Sequence, residues 1–244
     1  MKKIAIFLMA GFMALSLRNV QAQAIPFTDT VKYWPGWGNG TADDNKDTIG
    51  TPDFTGGTAN IVNRQLNNLT FNRTSGTSYY SILSPGDLFI DLGANGNWDY
   101  AVDLTSWSTA GSANPDPGPG AYSLYAINLA LNSSTGYIKS GSDNTNGWRG
   151  YLIRDGHPVA VNLTGLNAIS TVNFSGWGTG TTTSYAFDFS GLNLGDSGEF
   201  AFSWMPNCAN DVVYKKLSYP VPEPTSLSLL GLGLLGLMGF RKRK

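Results

Sequence analysis

The sequence predicts an all-β domain, an antiparallel β-sandwich of jelly-roll type, framed by two terminal segments of different character. Three observations carry this. Residues 25–220 alternate apolar and polar side chains with a period of two and show no sustained 3.6-residue stripe. Gly, Asn, Ser, Thr and Pro fill the gaps between the alternating runs. Both ends of the 244-residue chain are uncharged apolar stretches flanked by basic residues, unlike the middle. That middle, about 196 residues long, suffices for one domain with a real core. No fixed period repeats along it, which sets aside solenoids and propellers.

The first element is not part of the domain. Met1-Lys2-Lys3 is a short positive region, followed by the apolar run Ile4 to Leu15 and the small-residue stretch Ala22-Gln23-Ala24. This pattern predicts a secretory signal peptide over 1–24, removed by signal peptidase after Ala24, with Ala22 as the second choice. Strands then follow over Ala59–Asn63, Leu66–Phe71, Tyr79–Leu83, Asp87–Leu92, Trp98–Leu104 and Tyr122–Leu131. Six more are placed at Tyr151–Arg154, Val159–Leu163, Thr171–Phe174, Ser184–Phe189, Phe200–Trp204 and Val212–Tyr219. The pattern is clearest where Tyr185, Phe187 and Phe189 alternate with Ala186 and Asp188. Asn114–Gly120, with three prolines, cannot enter a ladder and reads as a surface loop, as does Gly176–Thr183. Many short strands in one domain of this size favour a sandwich over a barrel.

Composition excludes several functions. The whole chain has 16 basic and 17 acidic residues, but only nine basic against sixteen acidic fall within 25–220, a net of about −7. Nucleic acid needs a clustered basic surface, so it is not an expected partner. A single cysteine, Cys208, rules out a disulfide framework and any zinc site built from several thiolates.

The strongest local constellation runs from Gly86 to Tyr100. Counted from Asp91, it reads Asp-x-Gly-x-Asn-Gly-x-x-Asp. A calcium loop wants oxygen donors at its first, third and fifth positions and glycine at the sixth. Asp91, Asn95, Gly96 and Asp99 fit the first, fifth, sixth and ninth, whereas Gly93 brings no side chain at the third and Val102 stands where a bidentate glutamate belongs. Two readings stay open: a calcium site on Asp91, Asn95 and Asp99, or a β-hairpin with a type I′ turn at Asn95-Gly96 and solvated carboxylates. Asp43, Asp44 and Asp47 lie in a polar loop that faces water or binds a cation.

His157, the only histidine, sits in the turn Asp155-Gly156-His157-Pro158 and is read as a structural or surface residue, not a catalytic one. Cys208 is read as a small buried side chain. The domain has one glutamate, Glu199, and fifteen aspartates, with no pair singled out for glycoside hydrolysis. Among seven tryptophans, Trp204 belongs to an alternating strand and the core, while Trp37, Trp148 and Trp177 occupy loop-like contexts suited to stacking on sugar rings.

The last element is the tail. Val221-Pro222-Glu223-Pro224 forbids regular pairing and stays extended. Thr225 to Phe240 is a sixteen-residue uncharged stretch, a transmembrane helix of about 24 Å whose flanks make up the ~30 Å hydrocarbon core. Arg241-Lys242-Arg243-Lys244 holds its end on the cytoplasmic side. Gly231-x-Gly233-x-x-Gly236 has the spacing of a dinucleotide fingerprint but no preceding strand, so it is read as part of the helix.

These three features, in this order, resemble the PEP-CTERM sorting signal of Gram-negative bacteria over residues 221–244. The resemblance implies export, a transient inner-membrane anchor, and processing by an exosortase, a membrane cysteine protease or transpeptidase. It also implies a cell-surface or extracellular destination and association with exopolysaccharide. The segment Asp87–Tyr100 resembles the "DLFIDxDxDGxWDY" stretch of a group of such exported proteins. Gly50–Asp53, Arg154–Pro158 and Trp204–Asp211 are similar to further segments of that group. The expected role is structural or adhesive and non-enzymatic; the alternatives are a carbohydrate-binding module and a secreted hydrolase.

Overall fold

Strand pairing follows from where the alternating runs find apolar partners. The computed structural model describes residues 22–34, 37, 47–48, 53–74, 85–104, 118–140, 156–175, 183–221 and 233. Among them are twelve strands: β1 (Ala22–Thr28), β2 (Phe54–Val62), β3 (Gln65–Arg73), β4 (Leu88–Leu92), β5 (Asn97–Val102), β6 (Gly120–Ala130), β7 (Tyr137–Lys139), β8 (Pro158–Val161), β9 (Ala168–Phe174), β10 (Ser184–Asn193), β11 (Glu199–Trp204) and β12 (Val213–Ser218). Ten form one sheet in the order β1-β2-β3-β10-β9-β6-β5-β4-β11-β12, and β7 pairs with β8 alone. Every pair is antiparallel.

The all-β, antiparallel expectation holds, but the two-sheet sandwich does not. The main sheet is continuous and curls until it is nearly closed, like a barrel. Its two ends meet where Phe27 of β1 packs on Phe202 of β11, ring centroids 4.9 Å apart. There, too, Lys215 Nζ of β12 donates to the Thr28 carbonyl at 3.0 Å. Register shifts at Phe54/Gly56, Asn60/Ile61, Trp98/Tyr100, Leu124/Tyr125 and Asp188/Leu192 supply the bending. Each such irregularity sharpens the local right-handed twist, so ten strands cannot stay flat.

The concave face holds the main core. Trp204 lies at its centre, with ring centroids of Phe71 at 4.8 Å, Phe54 at 5.1 Å, Phe187 at 5.2 Å and Tyr185 at 5.6 Å. Its indole N–H donates to the Gly86 carbonyl at 3.1 Å, so the buried polar handle is satisfied. A second core covers the opposite face of β4, β5 and β11. There Phe89, Trp98, Ala101 and Met205 pack against Trp34, Val159 and Val161. This explains why Leu88-Phe89-Ile90 reads as a solid apolar run: β4 is buried on both faces.

Two strands escape the sequence pattern. β1 begins at Ala22, inside the segment assigned to the signal peptide, and pairs Ala22 with Val62 and Ala24 with Asn60. β7 is three residues long, too short to display a period. The expected strands Tyr79–Leu83 and Tyr151–Arg154 lie outside the described residues. So do residues 1–21 and all of 222–244 except Gly233. No helix of the described residues is long and apolar enough to cross a membrane, and the expected span 225–240 falls almost wholly outside them.

Candidate functional site

The Asp91 loop forms the β4–β5 hairpin. Asp91 Oδ1 accepts from the Asn95 amide at 3.0 Å and Oδ2 from the Gly96 amide at 2.8 Å. Asp99 Oδ2 accepts from the Leu92 amide at 2.6 Å, and Asn95 Oδ1 from the Asn97 amide at 3.0 Å. The hairpin reading therefore needs two corrections. The consecutive left-handed residues are Gly93 (φ 75°) and Ala94 (φ 49°), not Asn95 and Gly96. Asp91 is fully buried, not solvated. Burial raises its pKa above the ordinary carboxylate value, opposed by the Gly96 and Asn95 amides. The spacing that suggests calcium thus places Asp91, Asn95 and Asp99 together, with side-chain oxygens of all three engaged by backbone amides.

A different set of acids converges where the sheet ends meet. Asp29 follows β1, Asp211 precedes β12, and Asp47 lies between β1 and β2. Each brings a carboxylate oxygen within 4.8 Å of the other two. Asp211 Oδ2 accepts from the Phe54 amide, and Asp29 Oδ1 from the Val31 amide at 3.2 Å. The other oxygens, Asp29 Oδ2 and Asp211 Oδ1, are buried without a hydrogen-bond partner among the described residues. Burial pushes the Asp29 carboxyl up to about 7, with the Asp47 charge adding and the Val31 amide opposing. Burial likewise drives Asp211 well above the ordinary range, reinforced by Asp29. Crowded carboxylates of this kind need a proton or a cation between them.

Sequence reasoning placed Asp47 in a polar loop that faces water or binds a cation, and missed Asp29 and Asp211. These two are 182 residues apart and share no local motif. The available signal was weak: an aspartate at the end of the Cys208-Ala209-Asn210-Asp211 stretch, and another closing an alternating run. Asp43 and Asp44 lie outside the described residues.

The remaining candidates divide. Trp37 is half-buried; its indole N–H donates to the Leu131 carbonyl at 2.7 Å, Tyr137 packs edge-on at 5.9 Å, and Lys139 Nζ lies 4.6 Å from the ring centroid. Trp148 and Trp177 lie outside the described residues, as do Pro222, Glu223, Pro224 and Arg241 to Lys244. Trp204 is core, as expected. His157 is buried; its amide donates to Ser140 Oγ at 3.1 Å, and its carbonyl accepts from the Ser140 amide at 2.7 Å. Cys208 is buried, in line with its reading as a small buried side chain. Val221, first residue of the expected sorting motif, packs half-buried on the main core only two residues after Tyr219.

Comparison with known proteins adds one finding at the far end of the chain. Residues 220–244 match the PEP-CTERM protein-sorting motif. No curated protein and no solved structure matches the chain. The motif supports an exported protein whose membrane-anchored sorting signal is processed by an exosortase.

Proposed function

We propose that the chain, exported and sorted through this tail, serves as a structural or adhesive protein of the cell surface or extracellular matrix, in contact with exopolysaccharide and without catalytic turnover. The observation that carries the reading is the sorting motif at 220–244, joined to a curled β-sheet domain with almost no linker. A surface role asks for a rigid, protease-resistant body. Two packed aromatic cores on one antiparallel sheet supply it. The buried setting of His157 and Cys208 fits structural duty better than attack on a substrate.

The test is the intact mass of the mature protein isolated from its own host, together with its distribution between membrane, matrix and medium. The expected chain ends near Val221–Pro224 and is recovered from surface or matrix. A mass that still includes Arg241–Lys244 would mean a plain membrane anchor and remove the support for a matrix role. Turnover of an ester, peptide or glycan substrate by the purified protein would overturn the non-enzymatic reading.

A further inference from the structure

The ten-stranded sheet has two edges, β1 and β12, each paired on one side only. Curling brings them together: among the described residues, Lys215 of β12 donates to the Thr28 carbonyl of β1, and Phe27 of β1 packs on Phe202 of β11, the neighbour of β12. The acid cluster sits at this seam. We propose that Asp29, Asp47 and Asp211 form a divalent-cation site of the calcium class that clasps the two edges of the sheet.

Two independent observations point to a ligand there. The first is geometric. Oxygens bound to one calcium at 2.3–2.6 Å lie at most about 5 Å apart, and the three carboxylates each offer an oxygen within 4.8 Å of the others. The second concerns what those oxygens lack. Asp29 and Asp211 are 8% and 1% exposed, and Asp29 Oδ2 and Asp211 Oδ1 have no hydrogen-bond donor among the described residues. Their other oxygens are held by the Val31 and Phe54 amides, which fixes the carboxylates in place. A buried charged oxygen without a donor is costly, and a cation is the one partner that satisfies several at once.

The donor chemistry selects the ion. Three carboxylates with no thiolate or imidazole suit a hard cation. Three acids drawn from separate segments fit the irregular six- to eight-fold shells of calcium better than the strict octahedron of magnesium. Lys215 lies close enough to lower the Asp29 pKa, so one lysine already offsets part of the negative charge. With that offset, the site matches the weaker calcium modules that work outside the cell. Bound there, the ion ties the end of β1 to the start of β12 and pins the segment carrying Asp47. It thereby protects both edges from fraying and from pairing with other chains.

The experiment uses the full chain in detergent, stripped with chelator, then titrated with calcium chloride or magnesium chloride at neutral pH. At a hundredfold excess over Kd, calcium is expected to raise the melting temperature by roughly 5–10 °C, with one ion bound per chain. It should also slow amide exchange in β1 and β12. Asp29→Asn and Asp211→Asn keep an oxygen for the Val31 and Phe54 amides. Both variants should fold in chelator at least as well as the parent and lose the calcium shift, whereas Asp91→Asn should keep it. The proposal is overturned by an unchanged melt, by a shift with magnesium alone, or by a shift that survives Asp211→Asn. Binding that leaves exchange in both edge strands unaltered overturns the clasp.

Discussion

Asp87 is fully buried and ties two layers together. Oδ1 accepts from the Leu104 amide at 3.1 Å and Oδ2 from the Val161 amide of β8 at 3.0 Å. Truncation to alanine strands both amides in the interior. Asp87→Ala should therefore lower unfolding stability by about 3 kcal/mol, read by urea denaturation. Next to it, a Cβ on Gly86 would lie 2.5 Å from the Val159 carbonyl oxygen and 3.0 Å from that of Met205. Both obstacles are backbone and cannot swing away, so Gly86→Ala should cost about 1–3 kcal/mol in the same assay. Neither role is legible locally. The sequence shows a glycine and an acid at the start of an expected strand; only the arrival of Leu104, residues 159–161 and Met205 gives them partners. Asp91 teaches the same lesson in reverse, because its spacing suggests a metal while the hairpin engages both its oxygens.

At the scale of elements, burial on one face or two decides what periodicity reveals. β10 alternates cleanly at Tyr185, Phe187 and Phe189 because one face is wet, and it is found where expected. β4 is buried from Leu88 to Asp91, so its run announces a strand but not which neighbours cover it. The cover includes Trp34, whose ring lies 4.9 Å from Phe89 and 5.1 Å from Trp98 and whose N–H donates to Ser203. Trp34→Ala should cost about 3–5 kcal/mol in an urea melt, since it empties the second core. β1 makes a finer prediction. A mature chain beginning at Gln23 keeps all but one residue of β1, whereas one beginning at Ile25 loses three. The shorter form should be less stable by about 1 kcal/mol, because an edge strand contributes only a few net hydrogen bonds.

For the whole molecule, the boundary between body and tail falls later than the last strand. Tyr219 is buried; its amide donates to the Gly198 carbonyl at 2.8 Å and its hydroxyl to the Leu194 carbonyl at 2.7 Å. A chain stopped after Val221 should melt within about 2 °C of the full chain, whereas one stopped after Leu217 should melt several degrees lower. Thermal melts of the two truncations decide this, and equal melting would place the boundary earlier. Val221, the first residue of the Val-Pro-Glu-Pro run, itself leans on the core.

What the sequence by itself determined is whatever is local: the positions of ten of the twelve strands among the described residues, their antiparallel all-β class, and the order of features in a tail read as a linear signal. These need only neighbouring residues, because strand alternation and sorting motifs are properties of contiguous chain. The tertiary structure alone decided that the strands join into one curled sheet instead of two stacked ones. It also decided that Asp87 bridges layers and that Asp29, Asp47 and Asp211 share a seam. Register shifts set the curl, and curl sets which distant side chains meet. No pattern along the chain encodes a meeting between residues 182 positions apart.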